Sequence, residues 1–232
     1  MLPHVLDPWA AQALYEAAAL AGKVPGTKVT LLALGPKAKL QQVMMAVGQK
    51  VPFELVALDG PASGFTDAHE VASRLAAAVR GLPGLDRSRL LLFGGWESGS
   101  RGAGVTLGMV GELLEIGDQF QGVDELTVVE GGLRVLERVE GGRHQVSVVE
   151  GPPAVLGWAT GNLPEPKNNP QIGMANMRGV MPALQKAPAS PVGPGATFQS
   201  VTVPRVTRET RVVKDMSPDD MARELVEWIG QD

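Results

Sequence analysis

The sequence predicts an α/β fold with a parallel, doubly wound sheet, followed by an antiparallel hairpin region and an extended arm that ends in a helix. Short apolar segments alternate with helical segments as far as Gly117, which is the pattern of parallel strands joined by crossover helices. Beyond Gly117 the apolar period changes to two, which indicates paired antiparallel strands. Proline, asparagine and glycine dominate from Asn162 to Ala196, which predicts an extended or partly mobile arm.

The elements of the parallel part follow from apolar spacing and capping signals. The predicted strands are 28–34, 53–58 and 89–93. The predicted helices are 8–21, 38–48 and a stretch that stops near Gly81. Asp7 before Pro8 is typical of a helix cap with proline in the first turn, and Asp67 with Glu70 forms a capping box.

Glycine pairs separate the strands of the second half. Residues 125–160 are predicted to form four strands, with hairpin turns at Gly131-Gly132 and Gly141-Gly142, because two-residue glycine loops match the twist of paired strands. Within the arm, one helix is predicted from Met174 to Leu184. Ser217 is the predicted cap of a final helix that begins at Pro218 and ends at Gly230.

The final helix carries a bulky apolar stripe, which consists of Met221, Leu225, Trp228 and Ile229. Such a stripe either folds back on its own domain or docks onto a partner subunit. The predicted organisation is an α/β domain over residues 1–186, which includes the hairpin region at about 124–160, and a C-terminal arm over 187–232 that packs on a partner subunit.

Composition excludes several classes of protein. The net charge of -4 offers no basic excess for phosphate-backbone binding, so nucleic acid is not an expected partner. The absence of cysteine excludes disulfides and thiolate sites and leaves the cytoplasm as the expected location. No segment reaches the roughly 20 apolar residues of a membrane span or has the pattern of a signal peptide, so membrane insertion is not expected.

Charge is unevenly distributed along the chain. Residues 112–150 carry nine acidic side chains against three arginines, whereas arginine and lysine prevail in 178–214. These segments are either solvated faces or surfaces that steer a protein partner electrostatically.

The run from Leu90 to Glu115 contains the candidate site, because an apolar strand leads into a glycine-dense turn that opens a helix. Ligands of open α/β sheets bind beyond the carboxyl ends of strands, where glycines let backbone N–H groups approach phosphate oxygens. The pattern indicates a nucleotide-binding type of sheet, although neither GxxxxGK[ST] nor GxGxxG fits. The alternative is that Gly104, Gly108 and Gly111 let the helix pack tightly on the sheet.

Groups for bond-making chemistry are scattered, so no catalytic residue is predicted. His4, His69 and His144 lie far apart without metal-ligand spacing, and no metal site is expected. Ser98 lies in the glycine turn but outside any GxSxG, so a serine hydrolase is not expected. Trp96 either stacks on an aromatic ring of a ligand or closes the sheet edge.

Four stretches carry a family resemblance. They are LDPWAAQALYEAA, VTLLALGPKAKLQQVMMAVG, LLLFGG with the glycine turn, and PPAVLGWATGNLPEPKNNPQIGMANMRGVMPALQKAP. In order and spacing they resemble the β subunit of electron transfer flavoprotein, from Val5 to the C-terminus. The third stretch stands where that family has its AMP-binding turn, and the fourth where it has its asparagine-glutamate-proline recognition loop.

The resemblance implies an electron-carrier subunit that makes and breaks no bonds itself. In that family the β subunit forms a heterodimer with an α subunit that holds the redox FAD, usually binds AMP, and contacts acyl-CoA dehydrogenases or similar donors. Electrons then pass to a quinone reductase or another acceptor.

The resemblance also implies site residues. The implied nucleotide contacts are Asp7, Gly35, Pro36, Gly94, Gly95, Trp96, Glu97, Ser98, Gly99, Ser100, Arg101, Gly102, Ala103, Gly104, Val105 and Thr106. The implied partner-recognition residues, in a loop at about 162–184, are Glu165, Pro166, Ile172 and Met174, with Ile172 as the exposed apolar anchor.

The sequence departs from the family in three places. The turn reads WESGSRGAGVT instead of an acidic run and Asn-Gln-Thr, so AMP binding stays open. Asp7 stands where asparagine is usual, and its carboxylate repels phosphates unless water or Arg101 intervenes, while Arg101 can itself hold a phosphate. The family's first strand has no counterpart, so that the chain as given starts late or is truncated, or the sheet is rearranged.

Two alternative functions stay open. In one, the turn holds a second FAD in place of AMP, as in bifurcating flavoproteins. In the other, the chain is a stand-alone adenine-nucleotide-binding regulatory domain, and the long arm with its apolar stripe argues against that.

Overall fold

The computed structural model describes residues 5–61, 65–99, 102–193, 195–196, 199–200, 202–203, 205, 210 and 212–230. The chain divides into two compact units, Met1–Thr197 and Phe198–Asp232. The helices described in the first unit are α1 (Pro8–Lys23), α2 (Lys37–Val47), α3 (Ala68–Arg80), α4 (Thr106–Leu113) and α5 (Pro170–Gln185). The strands are β1 (Thr30–Gly35), β2 (Glu54–Asp59), β3 (Leu91–Gly95), β4 (Gln119–Val129), β5 (Gly132–Val139), β6 (Arg143–Val149) and β7 (Ala154–Trp158).

The described strands hydrogen-bond as two sheets. β1 and β2 pair in parallel, with Leu31 opposite Leu55 and Gly35 opposite Asp59. The second sheet has the order β3-β7-β4-β5-β6, in which β3, β7 and β4 are parallel and β4, β5 and β6 are antiparallel. The predicted mixed α/β fold is confirmed, whereas its doubly wound arrangement in one sheet is not.

Apolar packing covers both faces of β1. Leu31 and Ala33 pack into a cluster that includes Leu14 of α1 and residues of α2 and α5. Leu32 points the opposite way, as alternation along a strand requires, into a cluster with Ala72 of α3. Leu92 of β3 belongs to that second cluster, so the two sheets share an apolar core although their hydrogen-bond ladders are separate.

The antiparallel ribbon of β4, β5 and β6 confirms the change of period after Gly117. Its turns contain Gly131 with a φ of 79° and Gly141 with a φ of 72°, a conformation that glycine adopts without steric cost. β7, the fourth predicted strand, does not extend the ribbon, because it inserts in parallel between β3 and β4.

Helix α5 begins earlier than predicted, at Pro170 instead of Met174. The Asn169 side chain accepts hydrogen bonds from two backbone N–H groups of the first turn, at 2.9 and 3.4 Å. Asparagine followed by proline is a helix-start signal, which the loop-like composition around it had obscured. The larger part of the predicted recognition loop at 162–184 is therefore helical.

The described part of the second unit contains α6 (Pro218–Ile229). As predicted, Ser217 caps it by accepting from the Asp220 N–H at 3.2 Å, and Gly230 follows its last turn. The apolar stripe is exposed along α6, with Trp228 at 71% and Met221 at 47%. Within the ranges described in both units, no helix combines the length and apolar character needed to cross a membrane.

Candidate functional site

Asp7 connects the start of α1 to the turn that follows β3. Its Oδ1 accepts hydrogen bonds from the Trp9 and Ala10 N–H groups, at 3.0 and 3.4 Å, and so caps the helix. Its Oδ2 accepts from the Gly99 N–H at 2.6 Å, across 92 positions of sequence. The structure therefore brings together two of the residues predicted for the nucleotide site.

The glycine turn, residues 96–105, is closed by its own backbone. The Trp96 N–H donates to the Trp158 carbonyl at 3.0 Å, which continues the pairing of β3 with β7. The Ser98 N–H donates to the Ala103 carbonyl at 3.1 Å, and the Gly102 N–H donates back to the Ser98 carbonyl at 2.7 Å. Ser100 and Arg101 lie outside the described residues, so the predicted phosphate contact of Arg101 has no structural description.

Several predicted glycines lie against the protein's own atoms. A Cβ on Gly95 would lie 2.9 Å from the Trp9 Cβ, so this glycine lets α1 approach the end of β3. A Cβ on Gly104 would overlap the Trp96 carbonyl oxygen. A Cβ on Gly111 would lie 2.7 Å from the Val155 Cγ2. The contact of Gly111 with β7 supports the packing interpretation, whereas Gly104 lies against the turn itself and a Cβ on Gly108 would meet the Gln119 Oε1 at an ordinary 3.5 Å.

Further predicted residues lie at two other helix starts. Gly35 ends β1, and the Pro36 carbonyl accepts the first backbone hydrogen bonds of α2, at 2.8 and 2.9 Å. Asp59, which was not predicted, accepts from the Lys37 N–H at 3.2 Å, and its other oxygen lies 3.5 Å from the Lys37 ammonium. Thr106 is the first residue of α4, after an N-cap at Val105 that makes no side-chain hydrogen bond.

Trp96 packs against the second sheet. A Cβ on Gly122 of β4 would lie 3.4 Å from the ring, which favours the interpretation that Trp96 closes the sheet edge. Next to it, Trp158 stacks on Phe93 with ring centroids 5.9 Å apart. Both indole N–H groups are buried and find no hydrogen-bond partner among the described residues.

An adenylate phosphate at the start of α1 would compete with Asp7 for these hydrogen-bond donors. The Gly99 N–H already donates to a carboxylate, and the N-terminal N–H groups of α1 donate to the same side chain. A phosphate would have to displace Asp7 against like-charge repulsion. The same holds for the pyrophosphate of a second FAD at this turn.

The recognition segment, residues 162–184, is fastened to the loop between α2 and β2. Lys50 lies 2.7 Å from a Glu165 carboxylate oxygen and donates to the Pro166 carbonyl at 3.1 Å. Asn176 is buried, where it accepts from the Phe53 N–H and donates to two carbonyls of the same loop, at 2.7 and 2.8 Å. The backbone of the segment is therefore fixed at two points.

The other side of the segment lies against α1. Gln12 donates to the Leu163 carbonyl at 3.2 Å, and Glu16 accepts from the Asn162 N–H at 3.3 Å. Burial, together with the charge of Glu165, raises the pKa of the Tyr15 phenol. Side chains of the segment still face outward, since Met174 is 64% exposed and the Glu165 side chain 68%. Ile172, which was predicted to be the exposed apolar anchor, is half-buried, and Met174 is the more exposed apolar side chain of the two.

A polar cluster in the ribbon was not predicted from the sequence. The buried Asp124 carboxylate accepts from the Arg138 Nε and terminal nitrogen at 3.1 and 2.8 Å, and it lies 3.1 Å from the His144 Nε2. Burial opposes ionisation, but the hydrogen bonds from Arg138 and His144 outweigh it and hold the pKa of Asp124 below its ordinary value. The cluster borders a cleft of about 380 Å³. Only the acidic bias of 112–150 hinted at it.

The chain matches a known protein family, and its described residues offer no metal site. The described residues contain no group of three or more His, Asp or Glu side chains placed to hold a metal ion. No curated protein matches the sequence. The family model of the electron transfer flavoprotein domain matches residues 2–190, which is most of the first unit. The chain therefore belongs to the electron transfer flavoprotein domain family.

Proposed function

We propose that the chain is the β-type subunit of an electron transfer flavoprotein. It pairs with an α-type subunit that holds FAD, and the heterodimer carries electrons from a dehydrogenase of the acyl-CoA type to a quinone reductase or another acceptor. The observation that carries the proposal is the family match over residues 2–190. The order of the four stretches that resemble the β subunit supports the choice of β over α.

The chain's own part in this function is to bind and orient. FAD, when bound by the heterodimer, supplies the redox chemistry, and no residue of this chain is assigned a bond-making step. The recognition segment supports a docking role because its backbone is held by Lys50 and Asn176 while Met174 and the Glu165 side chain remain exposed. A surface that is ordered before docking loses less conformational entropy on binding.

An exposed apolar face in the second unit also favours a partner subunit. On α6, Leu225, Trp228 and Ile229 are 55–71% exposed, and they form one face of the helix together with Met221. Large exposed apolar patches mark interaction sites. We place this face on the α-type subunit, and we place the heterodimer in the cytoplasm.

The alternatives receive less support from the site. A second FAD in the glycine turn requires room for a pyrophosphate where Asp7 binds Gly99. A stand-alone regulatory domain leaves the α6 stripe without a function.

The test is co-expression of the full chain with the product of the neighbouring gene, followed by purification and an absorbance scan. One FAD per heterodimer supports the proposal, and two support the bifurcating alternative. A colourless, stable single chain that binds no flavin-bearing subunit contradicts both.

A variant tests the recognition segment within that heterodimer. We expect Ile172→Ala to slow electron transfer from the cognate dehydrogenase several-fold, because interface anchors contribute through buried apolar contacts. Flavin content should be unchanged. Val203→Ala, at an 88% exposed position of the second unit, is the matched control. Equal rates for both variants would remove Ile172 from the docking surface.

A further inference from the structure

The Asp7 carboxylate is bound as a phosphate is bound at a helix start. It accepts from the Trp9 and Ala10 N–H groups of α1 and from the Gly99 N–H of the glycine turn. Backbone N–H groups at a helix N-terminus, joined by one from a glycine-rich turn, are the donors that phosphates take in nucleotide-binding sheets. Here these donors already share one side chain of the protein.

Gly99 has no side chain that would obstruct the Asp7 carboxylate. A Cβ at this position would lie 3.2 Å from the Asp7 Oδ2 and 3.3 Å from the Trp9 ring, tighter than ordinary side-chain contacts. The glycine therefore lets the turn approach Asp7 closely enough for a 2.6 Å hydrogen bond. Hydrogen bonds from backbone N–H groups to a carboxylate belong to the charge-assisted class, which is stronger than the neutral class.

A carboxylate also lies at the start of α2. The Asp59 carboxylate accepts from the Lys37 N–H at the beginning of α2, and the Lys37 ammonium lies 3.5 Å from it. Gly35 and Pro36, the other predicted nucleotide contacts, precede this helix directly. An incoming phosphate would thus meet a carboxylate at both predicted contact regions.

From this geometry we infer that Asp7 is a built-in substitute for a bound phosphate, so that the start of α1 and the Gly99 N–H do not bind the phosphate of an adenylate. The chain then keeps the geometry of a nucleotide turn but uses it to join α1 to the second sheet. The inference concerns ligand binding alone and holds whether or not the heterodimer transfers electrons, so the two proposals fail separately.

The experiment measures AMP binding by isothermal titration calorimetry to the full chain, purified with its partner subunit if one co-purifies. We expect wild-type protein to show no saturable AMP binding up to millimolar concentration. Asp7→Ser keeps a helix-capping oxygen but removes the charge and the bond to Gly99. It should bind AMP saturably, with a dissociation constant at least tenfold below the millimolar limit set by wild type.

Two further variants make the result specific. Asp67→Ser weakens the cap of α3 in the same way, where Asp67 accepts from the Glu70 N–H at 2.9 Å, and it should gain no AMP binding. Asp7→Asn removes only the charge, and it replaces Asp7→Ser in the AMP titration if Asp7→Ser does not fold. Inorganic phosphate, titrated in parallel, separates recognition of the phosphate from recognition of adenosine.

Two outcomes would overturn the inference. Wild-type protein that binds AMP at micromolar concentration would show that the ligand displaces the Asp7 carboxylate. A folded Asp7 variant with no gain over wild type for either AMP or phosphate would show that Asp7 is not what keeps the ligand out. No binding by wild type together with a gain in the Asp7 variants supports it.

Discussion

The glycine turn and the recognition segment were both predicted to bind a ligand or partner, yet their polar groups are used in opposite ways. In the turn, the hydrogen bonds between Ser98, Gly102 and Ala103, and the bond from Gly99 to Asp7, use backbone donors inside the chain. In the recognition segment, Lys50 and Asn176 fix the backbone from behind and leave Met174 exposed. Exposed side chains on a fixed backbone are suited to docking, whereas the N–H groups of Ser98, Gly99 and Gly102 stabilise the fold by bonding within the chain.

The largest expected effect is at the anchor of the recognition segment. Asn176→Ala leaves the Phe53 N–H and two carbonyls without their buried partner, so we expect a loss of about 3 kcal/mol in the free energy of unfolding. Urea unfolding measures it. Asn168→Ala, at an exposed position of the same segment, should change stability by less than about 0.5 kcal/mol. Similar losses for both variants would mean that the segment is not anchored at Asn176.

The second-largest loss of stability is expected at Asp7, which bonds to the glycine turn in addition to capping a helix, whereas Asp67 only caps a helix. Asp67→Ala should cost about 1 kcal/mol, because it removes one cap, of α3. Asp7→Ala removes the cap of α1 and the bond to Gly99, so it should cost about 2 kcal/mol. Thermal and urea unfolding of the two variants give the comparison. Equal costs would indicate that the contact with Gly99 contributes nothing to stability.

A smaller effect is expected in the ribbon, where the Asp124 carboxylate is also bound by side chains of the same chain. Its pKa is lower in the folded state, so its contribution to stability is present above the unfolded pKa of about 3.9 and is lost as pH falls through the folded value. Asp124→Asn should cost about 1 kcal/mol at pH 7 and flatten the stability curve below about pH 4. The exposed Asp118→Asn is the control, and a curve that matches it would contradict the role of Asp124.

The smallest effect on stability is expected at Lys50. Lys50→Met keeps the aliphatic stem but loses the ion pair to the exposed Glu165 carboxylate, so the cost should be about 0.5 kcal/mol. Backbone amides of residues 163–169 should nevertheless exchange faster in hydrogen-exchange mass spectrometry, because the bond to the Pro166 carbonyl is also lost. Lys28→Met, at an exposed position, should leave their exchange unchanged.

Much of the fold could be predicted because its signals are local. The caps at Asp7, Asp67 and Ser217 act on N–H groups within three residues, and sequence spacing finds them. The glycines of the ribbon turns are equally local, since the backbone conformation itself requires them. The early start of α5 at Asn169-Pro170 was within reach of the same rules and was missed because its surroundings are typical of loops.

The candidate site could be predicted only in part. The family resemblance placed Asp7 and the glycine turn in one predicted site, but it did not predict that Asp7 would accept a hydrogen bond from the turn. Whether Asp7 repels a ligand or binds Gly99 depends on a 2.6 Å contact across 92 positions. Asp59 and Lys50 were missed for the same reason, because nothing near them in sequence indicates their partners.

The sequence by itself determined where helices and turns begin, which faces are apolar and which family the chain resembles, because periodicity, capping and backbone conformation act over a few residues. Only the tertiary structure decided that the described strands hydrogen-bond as two sheets, that Asn176 holds the loop before β2, and that Asp7 accepts a hydrogen bond from Gly99 of the glycine turn. These depend on which distant groups meet, since a buried donor or carboxylate is stabilised by whatever partner folding places within hydrogen-bond distance.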